Sequence, residues 1–238
     1  SGAIEPFFAA DVQILPGGQR VAASSKVWHD GFLAPLFAGH KEHKLVIMPV
    51  SKGQKRSEDI AVVQLPWQQK PQFLLADSHG NLVVTLIEQN GEHALGVIRD
   101  PTNRSPKFEE PIRLPEGSLA NGLVEYQGQW IAIDDRQDIL WIAPESAEVK
   151  DHWVPPVLDI PFVRDMRMAY DLTQDGILYL STMGSRIYAL DLETKQSRHS
   201  EPFGGPGGSV DWVPEKNVLV TGDLGEYAIR LIDPQSLR

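Results

Sequence analysis

The chain has 238 residues, a formal net charge of −10, no cysteine, 18 prolines and 20 glycines. The absence of cysteine excludes disulfides, zinc–thiolate sites and cysteine nucleophiles, and the acidic balance argues against nucleic-acid partners, because phosphate neutralisation needs clustered Lys and Arg. No apolar run approaches the roughly 20 residues that a membrane-spanning helix needs. The many prolines and glycines are typical of short strands joined by turns.

A unit of sequence recurs five times, each copy containing a proline step, then a turn, then a β-branched strand. The proline steps are Pro16, Pro66, Pro115, Pro161 and Pro202, at intervals of 41 to 50 residues. The turns are marked by Gly31, Gly80, Gly128, Gly176 and, in the fifth copy, Lys216-Asn217. Short apolar runs bounded by turn residues favour strands, and this period predicts one four-stranded propeller blade per copy.

The predicted strands follow the repeat in chain order. Blade one takes 21–28, 32–37, 44–50 and 60–65, and blade two takes 72–76, 82–87, 93–98 and 108–114. Blade three takes 120–126, 130–133, 139–143 and an outer strand within 149–160, and blade four takes 166–171, 177–182, 186–192 and 196–201. Blade five has only 209–213, 218–221 and 227–232.

Blade five therefore lacks a fourth strand, whereas the N-terminus has a spare one at 11–15, just before the first proline step. We expect residues 12–15 to pair beside residues 227–232 and to close the ring, because closure removes exposed strand edges. The predicted fold is all-β: a single domain over residues 1–238, forming a five-bladed β-propeller closed by the N-terminal strand.

The loops that enter the first strand of each blade, and those that join the second and third strands, open on one face of a propeller. Ligands bind preferentially at such loop clusters on a rigid scaffold. The residues expected to bind a ligand at this channel mouth are Trp67, Asn121, Asp165 and Arg167. Arg167 is suited to an anion, with Asp165 orienting it, or else the two form a local ion pair.

Oxygen-bearing side chains at the same mouth are candidate ligands for one divalent cation, calcium. They are Asn121, Asp135, Asp165 and Asp223, and Ca²⁺ takes six to eight oxygen ligands. The alternative is that these are turn-favouring residues exposed to water and that the protein binds no cofactor.

Residues 120–134, which begin Ala-Asn-Gly-Leu and end Gln-Trp-Ile-Ala-Ile-Asp, resemble the Asn-Gly strand pair of the gluconolactonase/SMP-30-like β-propellers. Residues 186–191 are similar to the third strand of that family. The resemblance implies a divalent metal, held by a Glu, an Asn and an Asp, that activates lactone hydrolysis. Asn121 matches the metal-binding Asn, but Ser25-Lys26 stands at the Glu position and the Asp position falls near Met168. The family ring also has six blades, so we expect no efficient lactonase activity.

The sequence predicts a binding or interaction module that uses the channel mouth for a small molecule or a protein partner. It would form part of a secreted or envelope protein, periplasmic or extracellular, although the cysteine-free composition is equally compatible with the cytoplasm. The alternative is a metal-assisted hydrolase, lactonase-like or glycosidase-like.

Overall fold

A computed structural model describes residues 9–15, 17–25, 45–49, 61–63, 70–87, 93–103, 106–109, 111–114, 120–134, 138–146, 148–156, 169–173, 175–181, 186–203, 207–223 and 226–238. These residues form five antiparallel sheets that follow one another along the chain. Within the described part, no helix is long and apolar enough to cross a membrane.

Each sheet is a meander of neighbouring strands. Sheet one contains β1 (Ala9–Ile14), β2 (Arg20–Ser25), β3 (Leu45–Pro49) and β4 (Ala61–Val63). Sheet two contains β5 (Lys70–Ala76), β6 (Leu82–Ile87), β7 (His93–Arg99), β8 (Lys107–Phe108) and β9 (Ile112–Arg113). Sheet three contains β10 (Ala120–Tyr126), β11 (Gln129–Asp134), β12 (Ile139–Ala143) and β13 (Glu148–Trp153). Sheet four contains β14 (Ala169–Leu172), β15 (Ile177–Ser181), β16 (Ile187–Asp191) and β17 (Gln196–His199). Sheet five contains β18 (Gly207–Val213), β19 (Val218–Asp223) and β20 (Ala228–Ile232).

The turn between the first and second strand has a left-handed residue in every sheet. These residues are Gly17 and Gly18 in sheet one, then Gly80, Gly128, Gly176 and, in sheet five, Asn217, all with positive φ. Glycine reaches this region without a steric penalty, and Asn is the next most tolerant residue. The repeat therefore marks the correct turn in sheets two to five. In sheet one the turn lies at Gly17-Gly18, and Gly31 falls outside the described residues.

The core lies between the sheets, in four buried clusters that each join two consecutive sheets. Strand β6 shows the origin of this arrangement, since Leu82, Val84 and Leu86 face sheet one whereas Val83 faces sheet three. Alternate side chains of a strand point to opposite faces, so a strand that is apolar throughout supplies two interfaces. Sheets of this kind stack side by side and bury both faces.

The predicted closure by the N-terminal strand is wrong. Strand β1 pairs with β2, with Val12 opposite Ala23 and Ile14 opposite Val21, so it is the first strand of sheet one. The hairpin is closed by bonds from the N–H of Leu15 to Arg20 and from that of Gly18 to Leu15. A short hairpin loop costs far less closure entropy than joining two ends of a chain of this length.

Sheets two to five follow the predicted strands closely, apart from a divided outer strand in sheet two, and in sheet five the described residues form the three strands predicted for blade five. The five sheets agree in number with the five sequence units, but the described residues show no pairing between the first and last sheets. At these two ends Val12 and Ile14 are 51% and 66% exposed, and Ile229 and Leu231 are 78% and 69% exposed.

Candidate functional site

A break in strand register recurs where the first strand of a sheet begins. Four of the five first strands show it, between Ala9 and Asp11, Pro71 and Leu74, Ala120 and Gly122, and Gly207 and Val210. A bulge inserts an unpaired residue, bends the strand and re-aims a side chain, and bulges are frequent beside functional sites. The strand-entry end of the sheets, defined by these four breaks, is therefore the candidate site.

Two of the predicted site residues have a described backbone at this end. Asn121 is the extra residue of the break in β10. Asp223 is the last residue of β19 and pairs with Gly207, the first residue of β18. Asn121 and Asp223 thus lie at equivalent ends of sheets three and five. The remaining predicted residues, Trp67, Asp135, Asp165 and Arg167, lie outside the described residues.

Buried hydroxyl groups line the second strands near the strand-entry end. Thr85 is fully buried, and its Oγ1 accepts a hydrogen bond of 2.9 Å from the N–H of Phe73, which lies inside the register break of β5. Ser24 and Thr221 are also fully buried. The hydroxyl of Ser181, the last residue of β15, is buried and has no hydrogen-bond partner in the described part of the chain. These residues were not predicted from the sequence, where their signal is a Ser or Thr within an otherwise apolar strand.

At the opposite end of the sheets, in the turn between β5 and β6, lies Asp77, which is 1% exposed. Its Oδ1 accepts from the N–H groups of His79 (3.0 Å) and Asn81 (2.7 Å), and its Oδ2 accepts from Asn81 Nδ2 (2.8 Å) and Trp130 Nε1 (3.0 Å). Four donors satisfy the carboxylate fully, and the bond to Trp130 joins sheet two to sheet three. The role of Asp77 is structural, and the sequence signal for it is the Asp-x-x-Gly-Asn turn.

Further contacts tie the turns at this opposite end to the next sheet. The backbone N–H of Ser78 donates to Glu125 Oε2 at 2.6 Å, and the Ser78 hydroxyl donates to the other oxygen of that carboxylate. A Cβ atom at Gly176 would overlap the Tyr126 ring, so the turn of sheet four lies directly against sheet three. These polar groups hold neighbouring sheets together rather than bind a ligand.

Local hydrogen bonds lower the pKa values of three carboxyl groups. The Lys195 ammonium, 2.6 Å from Asp151, lowers the pKa of that carboxyl. Burial raises the pKa of Asp191, but hydrogen bonds from Thr194 and from the N–H of Glu193 outweigh it, and the net shift is downward. Bonds from Ser236 lower the pKa of Asp233 in the same way.

Among the described residues, no three His, Asp or Glu side chains are grouped so that they could hold a metal ion. All four proposed calcium ligands lie outside the described residues or have a described backbone alone, so the calcium site stays a prediction. Among the described acids, Asp77 accepts a hydrogen bond from a neighbouring sheet and Asp191 accepts bonds within its turn.

Comparisons with known proteins address the fold. No family model matches the chain, and no curated protein matches it. Among solved structures, the chain is similar to the dihydro-heme d1 dehydrogenase NirN in complex with DHE, with a TM-score of 0.62 and 14% identity, covering 95% of this chain and 45% of that one. It is also similar to a chain of a mitotic checkpoint complex, with a TM-score of 0.62 and 11% identity, covering 100% of this chain and 69% of that one.

The chain therefore spans less than half the length of the first of these structures. At such low identity the likeness shows the fold alone. It supports a β-propeller type of fold, and none of the comparisons shows the gluconolactonase/SMP-30-like family.

Proposed function

We propose that the protein is a β-propeller binding module whose ligand, a small molecule or a segment of a protein, lies at the strand-entry end. The observation that carries the proposal is the register break that recurs there in four of the five sheets. Because the breaks recur at equivalent positions, they lie together at one end of the stack of sheets. At the opposite end, the described polar groups of Asp77 and Ser78 make contacts between sheets instead.

The scaffold behind this end is suited to binding. The second strands there are held by buried clusters on both faces, as Ile131 and Ile133 face sheet four while Trp130 and Ala132 face sheet two. A binding residue on a packed strand, such as Asn121 in β10, keeps its backbone position before the ligand arrives, which lowers the entropic cost of binding. For the polar contacts with the ligand we propose the side chains of Asn121, Asp135, Asp165, Arg167 and Asp223.

The test places a photo-crosslinking residue, benzoylphenylalanine, at position 121 and, as a matched control, at position 215. Glu215 is exposed in the turn at Pro214–Lys216, which joins β18 to β19 at the opposite end. Irradiation in the producing cells should give a discrete adduct from position 121 and none from position 215. Equal adducts from both positions, or adducts from position 215 alone, would contradict the proposal.

A metal assay separates this function from the hydrolase alternative. The purified protein is titrated with Ca²⁺ and assayed with simple aldonolactones, beside Asn121→Ala and the control Glu215→Ala. We expect no metal-dependent turnover. Turnover that is lost in Asn121→Ala and retained in Glu215→Ala would replace the binding module with a metal-assisted hydrolase, which needs several converging ligands and an open position.

A further inference from the structure

Tyr227 lies in the turn between β19 and β20 and is the most exposed large hydrophobic side chain in the described part of the chain, at 95%. This turn belongs to the strand-entry end, because Asp223 at its start pairs with Gly207, the first residue of β18. Aromatic rings normally stabilise a fold by being buried. The ring of Tyr227 therefore contributes little to the fold by burial.

The backbone of Tyr227 is also strained, since its φ is 51°. A bulky residue in the left-handed region is a genuine outlier. The other described non-glycine residues with a positive φ all lie in turns at the opposite end, and they are Asp100, Gln127, Lys195, Asn217 and Leu237. Among the described residues, Tyr227 is thus the only strained non-glycine residue at the strand-entry end.

Side chains at the strained positions of the opposite end have partners within the fold. Asp100 accepts a hydrogen bond of 2.8 Å from the Thr102 hydroxyl. The Lys195 ammonium donates to Asp151 at 2.6 Å. The side chain of Tyr227, in contrast, makes no hydrogen bond, ion pair or ring contact with another described residue. Strained backbone is concentrated at active sites and ligand clamps, so strain without a contact inside the fold points to a ligand.

The turn that carries Tyr227 is held by an ion pair. Glu226 accepts a hydrogen bond of 2.6 Å from Arg230, four residues further on. The same guanidinium lies over the Phe203 ring, 5.5 Å from its centroid, and Phe203 packs against the core between sheets four and five. Both charges of the pair are therefore engaged in holding the turn, and the ring of Tyr227 is the group that the turn presents to solvent.

The charge of the strand-entry end favours a cationic ligand. The second strands of sheets three and five both end at an aspartate, Asp134 and Asp223, and the chain as a whole has a net charge of −10. Such a field attracts positively charged partners and raises their association rate. The face of an aromatic ring carries the negative part of its quadrupole and attracts a cation as well.

We propose that Tyr227 contacts the ligand and receives an arginine side chain of a partner protein on the face of its ring. The inference rests on the proposed function and narrows the ligand to a basic segment of a protein. Arginine fits better than lysine, because its planar guanidinium stacks on an aromatic face and is more weakly hydrated than an ammonium. The partner's guanidinium then lies within about 6 Å of the ring centroid.

The test titrates the ¹⁵N-labelled protein with the acetylated and amidated pentapeptide Gly-Ser-Arg-Ser-Gly and follows the amide resonances of Tyr227 and Ala228. Both should shift saturably, whereas a peptide with citrulline in place of arginine, which has a similar shape but no charge, should shift neither. Tyr227→Leu should raise the dissociation constant measured at Ala228 about two- to fivefold, because an exposed cation–π contact is lost. Tyr227→Phe keeps the ring and should bind nearly as well as the parent protein.

The matched control is Gln127→Tyr. Gln127 is exposed and has the same φ of 51°, but it lies in the turn between β10 and β11 at the opposite end. The arginine peptide should not shift the amide of Gly128 in this variant. A shift there equal to that at Ala228 would mean that any exposed tyrosine binds the peptide, and it would overturn the proposal.

A stability measurement separates a ligand contact from a structural role. Glycine adopts a positive φ without a steric penalty, so Tyr227→Gly should raise Tm by about 2–4 °C while it weakens binding of the peptide. A fall in Tm would mean that the ring stabilises the fold, and the role in binding would be refuted.

The outcomes also separate this inference from the proposed function. If benzoylphenylalanine at position 121 gives a discrete adduct, but the arginine peptide shifts neither amide or the citrulline peptide shifts them equally, the role of Tyr227 is refuted and the proposed function stands. Adducts from position 215 alone, together with a response of both amides to arginine and not to citrulline, would instead refute the proposed function and support the arginine contact at Tyr227.

Discussion

Replacement of Asp77 by alanine should be among the most destabilising single changes in the described part of the chain. The substitution leaves three buried donors without an acceptor, namely the N–H and Nδ2 of Asn81 and the Nε1 of Trp130. A buried donor without a partner costs about 1–3 kcal/mol, and water entering the new space offsets part of this. We expect Asp77→Ala to lower the free energy of unfolding by about 3–5 kcal/mol, measured by urea denaturation with circular dichroism.

Two further variants locate the effect. Asp233 accepts similar bonds from the N–H groups of Gln235 and Ser236, but in an exposed turn, so Asp233→Ala should lower the free energy of unfolding far less than Asp77→Ala does. Trp130→Phe removes the indole donor, and its cost should shrink when Asp77 is already alanine, because the two side chains share one bond. An Asp77→Ala protein that loses less than about 1 kcal/mol, or additive costs in the double variant, would refute the view that Asp77 joins sheets two and three.

The remaining predictions concern a turn and an acid. Gly176→Ala should lower the free energy of unfolding by about 2–4 kcal/mol in a urea titration, because φ is 79° and the new Cβ meets the Tyr126 ring. The control Gly80→Ala, with a φ of 86° and nothing within 4 Å of the new Cβ, should lower it by only about 1 kcal/mol. Equal losses in the two variants would contradict the role of the ring. Because the pKa of Asp191 is lowered in the folded state, its contribution is present above the unfolded value of about 4 and is lost as pH falls through the folded value. We therefore expect Asp191→Asn to reduce the loss of stability below pH ~4, measured as Tm over a series of pH values. If Tm falls with acid as steeply in the variant as in the parent protein, the bonds from Thr194 do not stabilise the fold.

The strands of sheets two to five were accessible from the sequence because their signals are local. Apolar runs such as 82–87 and 139–143 are bounded by turn residues, and Gly80, Gly128 and Gly176 stand where the chain needs a positive φ. Backbone sterics act within two or three residues, so the same turn is predictable wherever its residues recur. The burial of both strand faces follows equally from the apolar composition of the runs.

The partner of each strand and of each buried polar group was decided by the tertiary structure. Residues 11–15 are as compatible with the last sheet as with the first, and only the Gly17-Gly18 hairpin assigns them to β2. The bond between Asp77 and Trp130 spans 53 residues, and no local pattern specifies it. The register breaks at Asn121 and at residues 208–209 likewise depend on how two strands pair. Such contacts arise from packing between distant segments, where chain connectivity imposes no short-range constraint, so the sequence determined the units and the tertiary structure determined how they join.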